Sequence, residues 1–174
     1  MSAPAEQATP VTVLGAGSWG TALAIQFARS GRATRLWGRD RGQLLAMGQS
    51  RRNERYLSGG EFPRSLVIEP DLPAALAGAR DVLVVVPSHA FRAVLGEVAP
   101  FLAPDMRLAW ATKGLELETG RLPHQIAHEV LGSQRSVAVL SGPTFAREVG
   151  SGLPTARTFL TAPPISTPVI SVDV

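Results

Sequence analysis

The sequence of 174 residues predicts a single α/β domain built on a doubly wound parallel sheet. Three observations predict this fold. Six short β-prone runs alternate with helix-patterned segments along the chain. One of these runs, Asp81–Val86, is apolar nearly throughout, as expected for a central parallel strand covered on both faces. The first run opens through glycines into a helix and then into a second β-prone run, and together they fill one βαβ unit.

The first half of the chain is predicted to supply three strands, which are Val11–Leu14, Ala33–Trp37 and Leu66–Glu69. The helical pattern after the first strand begins at Thr21 and stops at Gly31, a residue type suited to the position after a helix. A short helix is expected over Gln43–Gln49 and a helical turn over Leu72–Ala77. The charged, glycine-containing segment Arg51–Pro63 is expected to be a long loop.

The second half is predicted to add three more strands. The apolar run Asp81–Val86 ends at Pro87, and Ser88 is expected to cap a helix over Phe91–Val98. The remaining elements are two strands and a helix, namely Arg107–Ala111, Ser136–Leu140 and Arg121–Leu131. Ligands of doubly wound sheets gather beyond the carboxyl ends of the strands. The residues directly after each strand are therefore the candidate site.

A glycine-rich turn directly follows the first predicted strand. It reads Gly15-Ala-Gly17-Ser-Trp-Gly20, the G-x-G-x-x-G spacing of dinucleotide-binding sites. In such sites the first glycine allows a tight turn, the second lets a pyrophosphate approach the backbone, and the third lets the helix pack near the strand. The helix N-terminus then offers N–H groups to the phosphates. We expect this turn to bind a dinucleotide, with a purely structural glycine turn as the alternative.

Arg39 and Asp40 follow the second predicted strand, where the adenosine ribose of a dinucleotide would lie. An acidic residue at this place favours the free 2′-hydroxyl of NAD, whereas an arginine can pair with the 2′-phosphate of NADP. Because Arg39 comes first after the strand, the sequence favours NADP, or use of both cofactors. An exposed loop arginine without a binding role is the alternative.

Lys113 is the only lysine among 17 basic residues, and it follows the fifth predicted strand. A compact ammonium at the ligand-binding edge of a sheet can stabilise negative charge on a carbonyl oxygen, or hold an anionic substrate. Gly114 comes next and would let the backbone approach a ligand closely. We therefore expect Lys113 to be a functional residue.

The composition argues against several other kinds of site. The absence of cysteine excludes disulfides, cysteine-ligated zinc and a catalytic thiol. His124 and His128 are four residues apart but follow no strand, so no metal site is expected. The net charge is +3, yet the arginine cluster 51–55 is interrupted by Glu54, and nucleic-acid binding is not expected. No signal-like or membrane-spanning segment is recognisable, which predicts a cytoplasmic protein without membrane insertion.

Six segments, in this order, resemble bacterial NAD(P)-dependent glycerol-3-phosphate dehydrogenases: Gly15–Ala22, Leu36–Asp40, Asn53–Leu57, Val86–Arg92, Ala111–Glu116 and Leu140–Val149. The resemblance implies a Rossmann-like fold and reversible hydride transfer between NAD(P)H and dihydroxyacetone phosphate. The product, sn-glycerol 3-phosphate, is used for phospholipid synthesis. A different substrate, another 2-hydroxy acid or a hydroxyacyl thioester, fits the Ala111–Glu116 and Leu140–Val149 segments less well.

The same resemblance assigns roles by matching position. It implies that Ser18, Trp19, Arg39 and Ala146 contact the cofactor and that Phe91 lies against it. Lys113 is implied to touch both cofactor and substrate and to be catalytic. The remaining implied substrate contacts are Gly142 and Thr144.

The resemblance ends near residue 157. We expect a flexible N-terminus over 1–10, a dinucleotide-binding domain over 11–157 and a divergent tail over 158–174. Family members continue into a helical second domain with a general-acid lysine and groups that bind the substrate phosphate, and the sequence has no counterpart of that lysine. We therefore expect a truncated member that is inactive alone, with a homodimer as its possible assembly. A nucleotide-binding module without catalytic activity is the alternative.

Overall fold

The computed structural model describes residues 9–133, 135–141 and 145–152, together with the backbone of 158–161. The strands in these residues are β1 (Val11–Leu14), β2 (Thr34–Trp37), β3 (Arg52–Asn53), β4 (Leu57–Glu61), β5 (Leu66–Ile68), β6 (Asp81–Val84), β7 (Arg107–Trp110), β8 (Val137–Ser141) and β9 (Thr158–Thr161). The α-helices are α1 (Ser18–Arg29), α2 (Arg41–Ser50), α3 (Leu72–Leu76), α4 (Ser88–Val98), α5 (Pro123–Leu131) and α6 (Ala146–Gly150). A 3₁₀ turn, Ala99–Phe101, follows α4.

The main sheet has the strand order β5-β2-β1-β6-β7-β8-β9. The first six strands of this order run parallel, which confirms the predicted doubly wound sheet. The chain moves outward from β1 through β2 to β5, and then returns to β6 on the other side of β1. The order therefore reverses between β1 and β6, and the crevice at the carboxyl ends of these two strands is where such sheets bind ligands.

The strand β9 lies in the segment that the sequence analysis assigned to a divergent tail. It pairs antiparallel with β8, with Leu160 opposite Val139 and Thr158 opposite Ser141. The sheet thus gains an antiparallel edge strand, a common addition to parallel sheets. The rest of the assigned tail, residues 162–174, lies outside the described residues.

Two local expectations are wrong. The segment Arg51–Pro63 is not a continuous loop, because β3 and β4 form an antiparallel hairpin within it. Ser88 is not a helix cap: α4 begins at this residue, and Pro87 occupies the capping position without a side-chain hydrogen bond. Proline has no N–H to leave unpaired at a helix start, so the chain can enter the helix earlier than the sequence pattern suggested.

The sheet is covered by a hydrophobic cluster on each face. One cluster includes Leu23 and Phe27 of α1 and Val13 of β1, whereas the other includes Leu95 of α4 and Leu14 of β1. Neighbouring residues of β1 therefore point into different clusters, as the alternation of a strand requires. This double coverage explains why the central strands are apolar at nearly every position. No helix within the described residues is long and apolar enough to cross a membrane.

A buried ion triad lies at the amino ends of the strands, on the opposite side of the sheet from the crevice. Asp81 begins β6 and accepts hydrogen bonds from Arg107 at 2.6 and 2.8 Å and from Arg32 at 2.8 Å. Burial raises the pKa of Asp81, but the hydrogen bonds from Arg107 and Arg32 outweigh it and hold that pKa below its ordinary value. The triad joins β6 to β7 and to the start of β2, at a distance from the candidate site.

Candidate functional site

The carboxyl ends of β1, β2 and β6 meet at a cleft of about 290 Å³. Its walls include Gly15 and Gly17 from the turn after β1, Arg39 and Asp40 from the turn after β2, Tyr56 from the β3–β4 hairpin, and Val85 after β6. The backbone ladder continues to the edge of this cleft, because Gly15 N donates to Trp37 O at 2.8 Å and Val85 N donates to Leu14 O at 2.7 Å. The cleft thus has a rigid floor.

Positions 15 and 20 must be glycine because backbone atoms of other residues lie where a Cβ would be. Gly15 has a φ of +127°, and a Cβ at this position would lie 2.1 Å from the carbonyl oxygen of Val85. A Cβ on Gly20 would lie 1.9 Å from the carbonyl oxygen of Gly15. Both contacts are with backbone, which cannot move aside as a flexible side chain can. The turn, the strand β6 and the helix α1 are therefore packed as closely as glycine allows.

Gly17 differs from the other two glycines because a Cβ on it would meet no atom within 4 Å. It is the N-cap of α1, with φ −77° and ψ −174°, and the first intrahelical bond runs from Thr21 N to Gly17 O at 3.0 Å. The amide groups of the first turn have no carbonyl partner within the helix, and no acidic residue lies in that turn. The open side of Gly17, at the positive end of a 12-residue helix, fits a pyrophosphate.

The two residues after β2 have different surroundings. Arg39 is exposed at the cleft. The Asp40 carboxylate accepts the Gln43 N–H at 2.9 Å and so caps α2, and its other oxygen lies 3.7 Å from Arg55 Nη1. Asp40 is thus engaged by its own helix and by a neighbouring cation, whereas Arg39 is turned to the solvent. This arrangement suits a phosphate at the ribose better than an acidic contact to a hydroxyl.

Lys113 follows β7 and is exposed. Like the cleft, it lies at the carboxyl ends of the parallel strands. The preceding residue, Thr112, donates its hydroxyl to the carbonyl oxygen of Val86 at 2.8 Å, which ties the end of β7 to the end of β6. Gly114 has a φ of +93°, and a Cβ there would lie 3.6 Å from Ser88 Oγ. The turn that carries Lys113 is therefore held against the start of α4.

An ion network fixes the far side of this turn. Glu116 accepts two hydrogen bonds from Arg92 of α4, at 2.7 and 2.9 Å, and a third from the Thr119 hydroxyl. Arg92 also lies 3.0 Å from Glu129 of α5, which pairs in turn with Arg121. The hydrogen bonds from Arg92 and Thr119 lower the pKa of Glu116 to about 2. Glu116 therefore stays ionised at physiological pH and anchors the turn.

The comparisons with known proteins agree with this geometry. Residues 10–163 match the family model described as "NAD-dependent glycerol-3-phosphate dehydrogenase N-terminus". The chain belongs to this family. It is 54% identical over 148 residues to a glycerol-3-phosphate dehydrogenase [NAD(P)+] of Pasteurella multocida and 56% identical over 149 residues to that of Shewanella frigidimarina. These alignments cover 85% and 86% of this chain but 44% of each relative, so the chain spans less than half the length of both proteins.

Solved structures of dehydrogenases share the fold. The crystal structure of glycerol-3-phosphate dehydrogenase from Coxiella burnetii has 42% sequence identity and a TM-score of 0.84, and the match covers 89% of this chain and 47% of that one. The enzyme of Saccharomyces cerevisiae has 23% identity and a TM-score of 0.78, covering 95% of this chain and 50% of that one, and it supports the fold alone. The family resemblance predicted from six segments is thereby confirmed.

The cleft brings together three of the residues that the sequence predicts to bind the cofactor, which are Gly15, Gly17 and Arg39. Ser18 is exposed at the first position of α1, while the partly buried Trp19 packs against the core. Phe91 is fully buried and meets Trp110 edge to face at 5.7 Å. These three residues are not among those that line the cleft. Their contacts with a cofactor stay predictions.

The other predicted contacts lie beyond β8. Ala146 begins α6, a short helix that packs on α1. Gly142 and Thr144 fall outside the described residues, so their predicted substrate contacts stay predictions. The described residues contain no group of three or more His, Asp or Glu side chains that could hold a metal ion.

Sequence reasoning missed three residues of the site, namely Gln43, Asn53 and Tyr56. Gln43 and Tyr56 line the cleft. Asn53 is buried below the glycine turn, to which it is hydrogen bonded. The segment Asn53–Leu57 did contribute to the family resemblance. The available signal for Asn53 itself was an amide side chain within a charged segment. Without the hairpin, nothing in the sequence places that segment beside residues 15–20.

Proposed function

We propose that this chain is the cofactor-binding part of a glycerol-3-phosphate dehydrogenase and takes NADP or NAD in the cleft between β1 and β6. The observation that carries the proposal is the glycine turn, where two glycines are enforced by backbone contact and the third leaves open space at a helix N-terminus. The family match over residues 10–163 supports the same function. A bound nicotinamide cofactor would supply or accept the hydride.

The cofactor's diphosphate would lie against Gly17 and the first turn of α1. Free N–H groups and the helix dipole favour a negative group at that place without any basic side chain. Arg39 would pair with a 2′-phosphate at the adenosine ribose, because its guanidinium can donate two parallel hydrogen bonds to a phosphate. NADP is therefore the favoured cofactor, and NAD would bind without this contact to Arg39.

Lys113 would act on the substrate, dihydroxyacetone phosphate. Lys113 follows β7 at the carboxyl ends of the parallel strands, and its ammonium would stabilise charge that develops on the substrate carbonyl oxygen as hydride arrives. The anchoring of its turn through Thr112 and Glu116 limits how far the ammonium can move. Gly142 and Thr144 would complete the contacts with the substrate, so that sn-glycerol 3-phosphate is the product.

Isothermal titration calorimetry with NADPH and NADH tests the cofactor assignment. We expect saturable heat with both cofactors and a lower dissociation constant for NADPH. Arg39→Ala should remove that preference, because one lost hydrogen-bonded charge pair corresponds to about tenfold or more in affinity. Absence of heat with both cofactors, on protein with native circular dichroism, would overturn the proposal. A cytoplasmic location and a homodimer are the remaining parts of the proposal.

A further inference from the structure

Asn53 links the glycine turn to a hairpin distant in sequence. It lies on β3 and is 1% exposed. Its Nδ2 donates to the carbonyl oxygen of Ala16 at 3.0 Å and to Thr21 Oγ1 at 2.7 Å. Ala16 lies between the first two glycines of the turn, and Thr21 lies on α1. A buried side-chain amide thus uses both of its hydrogens on the dinucleotide turn and its helix.

The carbonyl oxygen of Ala16 has a second donor. Gln43 of α2 donates its Nε2 to the same oxygen at 3.1 Å. A carbonyl oxygen has two lone pairs, and here each is matched by a side-chain amide from a different element. The direction of this carbonyl group is therefore fixed from two sides, by β3 and by α2.

Fixing this carbonyl also fixes the next N–H group. Within a planar trans peptide, the carbonyl of Ala16 and the N–H of Gly17 point in opposite directions. The carbonyl points inward to the buried Asn53, so the Gly17 N–H points outward. Gly17 itself borders the cleft, and a Cβ on it would meet no atom within 4 Å. The pair of side-chain amides thus fixes the direction of a backbone donor that belongs to a residue lining the cleft.

Asn53 also holds the opposite wall of the cleft. Its Oδ1 accepts the backbone N–H of Tyr56 at 3.3 Å, and Tyr56 lines the cleft together with Arg39 and Asp40. One side chain therefore bonds to the glycine turn, to α1 and to the hairpin that closes the cleft. Removal of its amide would free all three contacts together.

We propose that Asn53 is a positioning residue of the dinucleotide site, which orients the Ala16–Gly17 peptide, with the help of Gln43, so that the Gly17 N–H faces the cofactor diphosphate. This inference rests on the proposed function, because it assumes that a diphosphate lies at Gly17. A residue that merely stabilised the hairpin would affect folding without changing the direction of the Gly17 amide.

Two variants of Asn53 test the inference first. Asn53→Ala removes both donors, and Asn53→Asp keeps the shape of the side chain but cannot donate when ionised. Thr12→Val is the matched control, because Thr12 is also fully buried and its hydroxyl donates to Ala75 O at 2.6 Å, on a helix that does not line the cleft. All three variants lose a buried hydrogen bond and should be less stable than the parent chain.

The decisive readouts are the NADPH dissociation constant and the ¹H–¹⁵N resonance of the Gly17 amide in the ligand-free protein. We expect both Asn53 variants to bind NADPH about tenfold to hundredfold more weakly, the range for a hydrogen bond to a charged group. Their Gly17 resonance should move, whereas Thr12→Val should leave affinity and resonance unchanged. Gln43→Ala, a milder change, should move the same resonance less and serves if the Asn53 variants do not fold.

Two results would overturn the inference, namely parental NADPH affinity in a folded Asn53 variant, or an unmoved Gly17 resonance in the Asn53 and Gln43 variants. Failure of the proposed function has a different signature, because the parent chain itself would then bind no NADPH. In that case the resonance of Gly17 still decides whether Asn53 orients the peptide.

Discussion

At the residue scale, the glycines of the turn have different roles, because Gly17 is proposed to serve cofactor binding whereas Gly20 is needed for folding. Gly17→Val adds a side chain where a Cβ meets no protein atom within 4 Å, so the fold should persist. Valine is a poor N-cap, and about 1 kcal/mol of stability should be lost. The added methyl groups would occupy the space of the diphosphate, and we expect NADPH affinity to fall at least about hundredfold in a calorimetric titration.

Gly20→Ala is the matched control for this substitution. Its Cβ would lie 1.9 Å from the carbonyl oxygen of Gly15, so the variant should be much less stable even though a smaller side chain is added. Thermal unfolding followed by circular dichroism compares the two. If Gly17→Val bound NADPH as the parent chain does, or if Gly20→Ala kept the parental stability, the assignment of roles within the turn would be wrong.

Also at the residue scale, the sequence predicted the glycine turn well because its evidence is local. The spacing of Gly15, Gly17 and Gly20 reflects backbone contacts within one βαβ unit. Asn53 escaped prediction because its partners are 37 and 32 residues away. Its role depends on how the hairpin returns to the turn, and no periodicity in the sequence encodes that contact.

At the element scale, the Lys113 turn is held between α4 and α5 by Arg92, Glu116 and Glu129. The pKa of Glu116 is lowered from an ordinary 4.5 to about 2 in the folded protein. Stability from this group is therefore fully present above the unfolded value and is lost as pH falls towards 2. Asp81, whose pKa is also lowered, contributes in the same direction. Acid should weaken both attachments.

Arg92→Met tests this network. The variant keeps much of the apolar stem but removes the guanidinium, so the pKa of Glu116 should return towards its ordinary value. We expect the variant to be less stable than the parent chain near neutral pH. The difference should shrink as pH falls from 4.5 to about 2, because Glu116 then becomes protonated in the parent chain too. Urea unfolding across this pH range measures both quantities.

Arg64→Met is the control for this experiment, since Arg64 is an exposed arginine beside the edge strand β5, on the other half of the sheet. Its stability difference from the parent chain should be small and nearly independent of acid pH. An Arg92→Met difference that stayed constant from neutral to acid pH would contradict the coupling of Glu116 to Arg92.

Elements differed in how far the sequence could predict them. The six parallel strands follow from apolar runs buried on both faces, a signal within each run. The two-residue strand β3 and its partner β4 carry no such signal, because charged residues and Gly59-Gly60 make the segment look like a loop. The start of α4 was misplaced because a serine after a strand resembles a cap, whereas Pro87 already occupies that position. The hairpin depends on the pairing of β3 with β4, whereas the start of α4 is decided locally by Pro87.

At the scale of the whole molecule, we expect the chain to bind the cofactor without catalysing the reaction. The contacts proposed for the diphosphate and the adenosine ribose come from α1 and from the turns after β1 and β2, all of which lie within the described residues. Saturating NADPH, at about 100 times its dissociation constant, should therefore stabilise the fold by about 2.7 kcal/mol. For a domain of this size that corresponds to a rise in melting temperature of about 5 to 10 °C. Gly17→Val should show no such rise.

Turnover has further requirements. The 174 residues span 44% of the length of the Pasteurella multocida relative, and Lys113 is their only lysine. Removal of one preorganised donor from an active site costs about a hundredfold to a thousandfold in rate, and we expect these residues alone to fall short of full activity by at least that much. We expect the 174 residues to bind NADPH, with the thermal shift given above, but to oxidise it no faster with dihydroxyacetone phosphate than without it. The decay of NADPH absorbance measures this directly, and steady oxidation that depends on Lys113 would mean that this part of the enzyme contains a complete active site.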